Sequence, residues 1–243
     1  MTDIHKYKNS LNKNGFVTID KIYSDVEIEK IISLISNADS SRSTFRKSTD
    51  LFAIRQFLKE IPQTTPLIFN DTILTLINSL FGSDFFIVKS IYFNKPEQSN
   101  WFVSYHQDLT ISVDSKTDLK GYGPWTVKQN QFAVQPPIDI LQSIYTIRIH
   151  LDDTDEENGA LKIISGSHSK GIYRPENIDR TKETETICPV TRGSVMVMRP
   201  LLLHSSGRTT NNNKRRVIHI EFCNKTLPSG IKWAEYADLK VDA

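Results

Sequence analysis

The sequence predicts a mainly β domain, a sandwich or barrel, buttressed by helices from its N-terminal part. Three observations predict it. Helical periodicity is confined to the first third of the chain, β-branched and aromatic runs dominate after Gly82, and turn-forming stretches separate those runs. With 243 residues the chain is long enough for one sizeable core. It reads as a single domain over 1–243, with a helical part over about 1–82 and a β core over about 83–225.

Ser24 followed by Glu27 forms a capping-box pattern. Ile28, Ile31, Ile32 and Ile35 then repeat at helical spacing and make one apolar face. A second helix is predicted from about Asp71 to Phe81, with Ile73, Leu76, Ile77 and Leu80 on its face and Gly82 where a C-terminal cap belongs. Residues 51–60 suggest a further short helix, and the terminus around His5 reads as loose. Strands are predicted over Phe85–Phe93, Val103–Val113, Ile144–Leu151, Ala160–Ile164, Ser194–Met198 and Val217–Phe222. Turn residues fill Asp152–Gly159 and Thr209–Asn213. The stretch Asp114–Pro137 is rich in Gly, Pro and Gln and reads as a long loop, a candidate lid.

Composition narrows the function classes. A net charge of +2 gives no electrostatic argument for nucleic acid or an anionic membrane surface, and the basic cluster Lys214-Arg215-Arg216 is too short to act as a tail. Two cysteines, Cys188 and Cys223, are too few for a disulfide framework, so free buried thiols in a reducing cytosol are expected. The N-terminus lacks an apolar signal-peptide core, and no run approaches the ~18 apolar residues of a membrane span. The expected location is cytoplasmic.

The sharpest local feature is Ser104-Tyr105-His106-Gln107-Asp108. On a strand, residues i and i+2 point the same way, so His106 and Asp108 offer an imidazole nitrogen and a carboxylate oxygen on one face. His204 follows the strand Ser194–Met198. Two imidazoles and a carboxylate form the facial triad of non-haem iron(II) oxygenases, which leaves positions open for a co-substrate and O₂. Taken alone, a His-x-Asp dipeptide is also what an exposed polar pair on a strand looks like.

Context favours the metal. Arg215 opens the strand that follows His204, and a guanidinium matches a carboxylate bidentately. Such an Arg can hold the distal carboxylate of a 2-oxoglutarate whose other end chelates iron. Arg215 and Arg216 face opposite sides of a strand, and the sequence does not say which faces inward.

The ordered blocks resemble the phytanoyl-CoA dioxygenase family. They run Asn94-Lys95 through Asn100-Trp101, then His106-Gln107-Asp108, Trp125-Thr-Val-Lys128 and Val134-Gln-Pro-Pro137. His150-Leu-Asp-Asp153, Glu157-Asn-Gly-Ala-Leu161, Ser165-Gly-Ser-His168, His204-Ser-Ser-Gly207 and Arg215-Arg-Val-Ile-His-Ile-Glu-Phe222 follow. Together they cover roughly residues 85–222. The resemblance implies a double-stranded β-helix, a cupin-like jelly roll with iron at one mouth. It implies His106, Asp108 and His204 as iron(II) ligands, Arg215 as the 2-oxoglutarate carboxylate partner, and Ser206 as a further co-substrate contact. Asp at 108, rather than Gly or Ala, argues against a halogenase. The implied reaction hydroxylates a small-molecule metabolite with O₂, releasing succinate and CO₂; desaturation, ring closure and epimerisation are related outcomes. A metal-binding cupin-like isomerase or sensor is the rival, and it has no need for Arg215.

One departure stands out. Many members of the family carry a Trp where this chain has Arg148. Thr146, Arg148 and His150 share one face of their strand, so Arg148 either enters the pocket to bind an anion, 2-oxoglutarate or a substrate carboxylate, or makes a surface ion pair. Gln107, Trp125 and Gln135, with Lys128, are candidates for substrate contact. His168 and His219 read as structural.

Overall fold

The computed structural model describes residues 4–50, 52–128 and 131–239. Its helices are α1 (Ile4–Asn14), α2 (Asp25–Ser36), α3 (Phe57–Glu60), α4 (Thr65–Ile68), α5 (Asp71–Phe81) and α6 (Ile138–Leu141). Its strands are β1 (Phe16–Ile19), β2 (Phe45–Lys47), β3 (Phe52–Arg55), β4 (Phe86–Lys95), β5 (Val103–His106), β6 (Ile111–Val113), β7 (Trp125–Lys128) and β8 (Gln131–Val134). They continue with β9 (Tyr145–His150), β10 (Leu161–Ile164), β11 (Glu185–Cys188), β12 (Val195–Met198), β13 (His204–Ser206), β14 (Arg215–Cys223) and β15 (Ala237–Asp238).

An eight-stranded antiparallel sheet runs β1-β12-β9-β14-β4-β3-β2, with β15 also on β4. A smaller sheet runs β11-β10-β13-β5, and β6-β8-β7 forms a three-stranded ribbon. Strand alternation explains how the layers stack. On β9 and β14, Ile147, Ile149, Ile218, Ile220 and Phe222 point outward and join the apolar faces of α2 and α5 in one core. Each fully buried Ile here contributes roughly 1.5–3 kcal/mol relative to leaving it in water. On the inner side, Met196 and Met198 of β12 meet Leu161 and Ile163 of β10, which closes the two sheets on each other. The result is a double-stranded β-helix, a jelly roll buttressed by helices, with its polar inner face between the sheets.

The expected helices are present for the expected reasons. Ser24 and Glu27 complete a reciprocal capping box at α2, and the Asn70 side chain accepts from the Ile73 amide at the start of α5. Gly82, at φ +101°, ends α5 in a conformation that suits glycine.

Three expectations need correction. The first third is not purely helical: β1, β2 and β3 extend the large sheet, and most of the helix expected over 51–60 is strand β3, with only Phe57–Glu60 helical. Phe52 and Ile54 are half-buried and buried against the helices, with β3 paired between β2 and β4, and Leu51 lies outside the described residues. The stretch Asp114–Pro137 is not one loop. It contains β7 and β8, whose Val134 and Phe132 pack on Ile111 and Val113, although Gln129 and Asn130 lie outside the described residues. The terminus near His5 is part of α1. Both cysteines are free and buried, and among the described residues no helix is long and apolar enough to cross a membrane.

Candidate functional site

The strand predicted over Val103–Val113 is two strands, β5 and β6, with Asp108 in the turn between them. β5 pairs with β13 so that His106 and His204 stand opposite one another. Their ring centroids are 4.3 Å apart. The Asp108 amide donates to the Pro200 carbonyl at 2.9 Å, which turns the carboxylate back toward both rings. Asp108 Oδ1 lies 3.8 Å from His106 Nε2, and Oδ2 lies 3.9 Å from His204 Nε2. The three donor atoms fall within 4.8 Å of one another, a spacing one metal ion can bridge.

The imidazoles are oriented by the backbone. His106 Nδ1–H donates to Ser104 O at 2.9 Å, and His204 Nδ1–H donates to Leu202 O at 2.8 Å. Each ring is thereby held in the tautomer that turns the Nε2 lone pair to the cluster. Burial and the neighbouring His106 lower the His204 pKa to about 4, so that ring is neutral and ready to ligate at physiological pH. Burial alone would raise the Asp108 pKa. The surrounding His204, His219, Lys89 and His106 outweigh it and hold the carboxyl below the usual carboxylate range.

Behind this cluster, the inner face of the large sheet carries cations. Arg215 points inward and is buried; its Nη1 donates to the Gly159 carbonyl and to Ser206 Oγ at 3.2 Å. The Ser206 hydroxyl in turn donates to Gly159 O at 3.1 Å. Arg216 points the other way and makes a two-pronged pair with Asp152, at 2.8 and 2.6 Å. Parity therefore resolves in favour of Arg215. Arg148 also faces inward, and its Nη1 lies 3.2 Å from His219 Nδ1. Burial pushes the guanidinium pKa of Arg148 down to about 10, and burial with Arg148 nearby pushes that of Arg215 down to about 9. The Nε atoms of both, and His150 Nε2, are buried with no hydrogen-bond partner among the described residues. Buried, under-satisfied guanidinium groups beside a three-donor cluster fit an anion that also reaches the metal.

The seat for that anion is shaped by Gly159. Asn158 exchanges hydrogen bonds with Asp155 and donates to the Asp153 carbonyl, which fixes the turn. At φ +88°, Gly159 then passes so close that a Cβ would meet Lys95 Nζ at 2.7 Å and Gly207 O at 2.9 Å. Lys95 sits beside Arg215 in register on β4 and stacks its ammonium over Trp101. Burial, together with Arg215 and Arg208, lowers its pKa to about 7.

Other candidates fall elsewhere. Gln107, a candidate for substrate contact, is engaged with the backbone. Its amide donates to Gly171 O and Leu201 O and accepts from the Tyr173 amide, so it braces the turn that carries Asp108. Trp125 packs partly buried on the ribbon's apolar cluster, and neither it nor Gln135 lines the cavity of about 470 Å³ between the ribbon and the large sheet. The Lys128 side chain lies outside the described residues. His168 Nε2 donates to the Asn12 carbonyl at 3.1 Å and is not part of the three-donor cluster. His219 hydrogen-bonds within the sheet, as expected. It lies on the inner face between Arg148 and Glu221, with Nε2 3.1 Å from Glu221 Oε1, and Lys89 closes that chain at 2.8 Å from Glu221. The signal was available: 215, 219 and 221 share the parity of Arg215 on one strand.

Comparison with known proteins agrees with this geometry. A family model described as Phytanoyl-CoA dioxygenase (PhyH) matches residues 11–217. A search of the curated proteins found no match. Among solved structures, the non-heme alpha ketoglutarate dependent carbocyclase SnoK from nogalamycin biosynthesis is similar at TM-score 0.68 and 15% identity, covering 95% of this chain and 86% of its own. EctD from S. alaskensis, solved with 2-oxoglutarate and 5-hydroxyectoine, is similar at TM-score 0.69 and 16% identity, covering 90% and 75%. The epimerase SnoN, in a complex with Fe3+, alpha ketoglutarate and nogalamycin RO, is similar at TM-score 0.66 and 15% identity, covering 93% and 87%. At these identities the structures speak for the fold. The family match spans most of the chain, and so the chain belongs to the phytanoyl-CoA dioxygenase family, with the oxygenase-type chemistry of iron and 2-oxoglutarate that the family carries.

Proposed function

We propose that this protein is a hydroxylase of a small-molecule metabolite, acting as one cytoplasmic domain with iron(II) held by His106, Asp108 and His204. Arg215, with Ser206 beside it, binds the distal carboxylate of 2-oxoglutarate, and Arg148 adds a second buried cation at the same end. The observation that carries this reading is the buried Arg215 guanidinium, whose Nε has no partner among the described residues, behind a cluster of two imidazoles and a carboxylate. A metal-binding isomerase or sensor has no use for that guanidinium. The cytoplasmic reading rests on the two unpaired thiols.

Iron with 2-oxoglutarate and O₂ supplies the oxidising power: RH, O₂ and 2-oxoglutarate give ROH, succinate and CO₂. The chain's own residues position the reactants. The backbone carbonyls of Ser104 and Leu202 keep both imidazoles in the ligating tautomer. Asp108 stays ionised, so its carboxylate would balance part of the charge of a bound metal. Arg215 and Ser206 would hold the keto-diacid by its far carboxylate and so orient it. The two sheets bury His204, Arg148 and Arg215 between them, away from bulk water.

The test is anaerobic addition of Fe(II) and 2-oxoglutarate, followed by exposure to O₂. A weak visible charge-transfer band, then succinate release matched to a product heavier by one oxygen, is the expected result. Metal uptake with no effect of 2-oxoglutarate on either spectrum or turnover would return the protein to the isomerase or sensor reading.

A further inference from the structure

A cavity of about 470 Å³ opens between the large sheet and the β6-β8-β7 ribbon. It adjoins the metal cluster through two residues. Thr110 follows Asp108 by two positions, and Lys89 ends the chain Lys89–Glu221–His219 that reaches Arg148. The volume suits a small metabolite.

The strand register ties this cavity to the site by a single row of side chains. Arg55 on β3 is opposite Ile91 on β4, Ile91 is opposite His219 on β14, and His219 is opposite Arg148 on β9. All four residues share the inner face. At ~4.8 Å per strand, Arg55 stands about 10 Å from His219 and about 14 Å from Arg148 along the row. The row therefore has a guanidinium at each end. Arg148 belongs to the co-substrate end, and Arg55 is on the cavity wall.

The charges on that wall are already committed, apart from Arg55. Lys89 is neutralised by Glu221 at 2.8 Å. Glu235 accepts from the Ser90 amide and hydroxyl. Asp114 accepts from the Lys232 amide and the Ser115 hydroxyl. Among the described residues the Arg55 guanidinium has no carboxylate partner; it makes one long hydrogen bond, 3.5 Å to Gln131 Oε1. A half-buried guanidinium left over in a cavity beside a reactive centre is a fork for a planar anion. Ile91, Val113 and Phe132 give the same cavity an apolar flank.

Resting on the iron and 2-oxoglutarate reading above, we propose that this cavity holds the substrate, that Arg55 binds a carboxylate on it, and that the substrate class is small organic acids. Arg55 is thus a specificity residue that anchors the end of the substrate remote from the metal. A single free guanidinium matches one carboxylate better than a phosphate dianion.

The experiment uses the Fe(II)- and 2-oxoglutarate-loaded protein with a panel of small organic acids, each paired with its primary amide, and a matched set of phosphate monoesters. Succinate release above the substrate-free rate is the readout. One or more acids should stimulate release while their amides and the phosphate esters do not. For a stimulating acid, Arg55→Gln should raise KM by about 10–100-fold with a smaller change in kcat, and Arg55→Lys should recover part of that loss. The charge-transfer band of each loaded variant verifies that its metal site is assembled. Equal stimulation by acids and amides, stimulation by phosphate esters instead, or an unchanged KM in Arg55→Gln would overturn the proposal. So would a panel in which no acid stimulates although substrate-free succinate release is intact. Absence of that release and of the charge-transfer band in the unaltered protein would be a different failure, that of the underlying co-substrate reading.

Discussion

Arg215 and Arg216 are adjacent in sequence and serve opposite faces of β14: one guanidinium reaches Gly159 and Ser206 between the sheets, the other clamps Asp152 on the helix-covered side. Two similar substitutions one residue apart should therefore fail in different ways. Arg215→Lys keeps the charge but loses the fork, and it should raise the KM for 2-oxoglutarate by about 10–100-fold with little change in melting temperature. Arg216→Ala should leave that KM alone and lower stability by about 1–3 kcal/mol, read from a urea midpoint. Matching effects in both assays would contradict the division of labour.

The metal itself should stabilise the fold. At a concentration one hundred times its Kd, a divalent ion bound only by the native state adds about 2.7 kcal/mol, and EDTA should remove it. His204→Ala and Asp108→Ala should abolish that increment. Titration calorimetry with Fe(II) under anaerobic conditions, beside thermal melts, checks both statements.

Gln107 tests how much the turn around Asp108 depends on its brace. Gln107→Ala removes hydrogen bonds to Gly171, Leu201 and Tyr173 and leaves buried backbone groups unpaired. A loss of about 1–3 kcal/mol in stability is expected, with metal affinity down about 10–100-fold because Asp108 loses its fixed orientation. A variant with a wild-type metal Kd would assign Gln107 to folding alone.

Acid and base behaviour should separate two buried groups. Burial raises the Glu235 carboxyl to about 7, against hydrogen bonds from Ser90 and the charges of Lys59 and Lys89. The native state thus holds a proton that the unfolded chain has released, and Glu235 makes stability fall as pH rises from about 4.5 to about 7. His150, pushed well below its ordinary value by burial and by Arg148 and Arg215, acts in the opposite sense. Its contribution is full at neutral pH and is lost as pH falls below about 6.5. Glu235→Gln should therefore steepen the rise of stability with pH in that window, by an amount on the order of 3 kcal/mol across it. Urea midpoints of the metal-free protein between pH 4.5 and 7.5 measure this. A slope no steeper than that of the unaltered protein would show that Glu235 is ionised in the fold.

Much of this was legible in the sequence. Ser24 with Glu27, the isoleucine spacing of α2 and the Asp71–Phe81 periodicity are local signals, and local signals survive folding. The facial cluster was legible because its spacing and order are distinctive. What the sequence hid depends on partners distant along the chain. Phe52–Arg55 carries no strong strand pattern of its own and becomes a strand because β4 offers it an edge. The long Gly- and Pro-rich stretch becomes a ribbon because Val134 and Phe132 meet Ile111 and Val113. Arg55 gave no hint of function until the register aligned it with His219, and Gln107 looked like a site residue only because of its two neighbours. Parity along β14 could have identified His219 and Glu221 earlier, since both follow Arg215 at even steps.

The two histidines belong to the small sheet, while Arg148 and Arg215 belong to the large one. A ligand that chelates the metal at one end and is gripped by a guanidinium at the other spans the gap between layers, much as a clasp joins two halves of a shell. Loading the enzyme is then also a mechanical event: amides of β5, β13 and β14 should exchange their hydrogens more slowly together, and the jelly roll should resist opening most when it is ready to react.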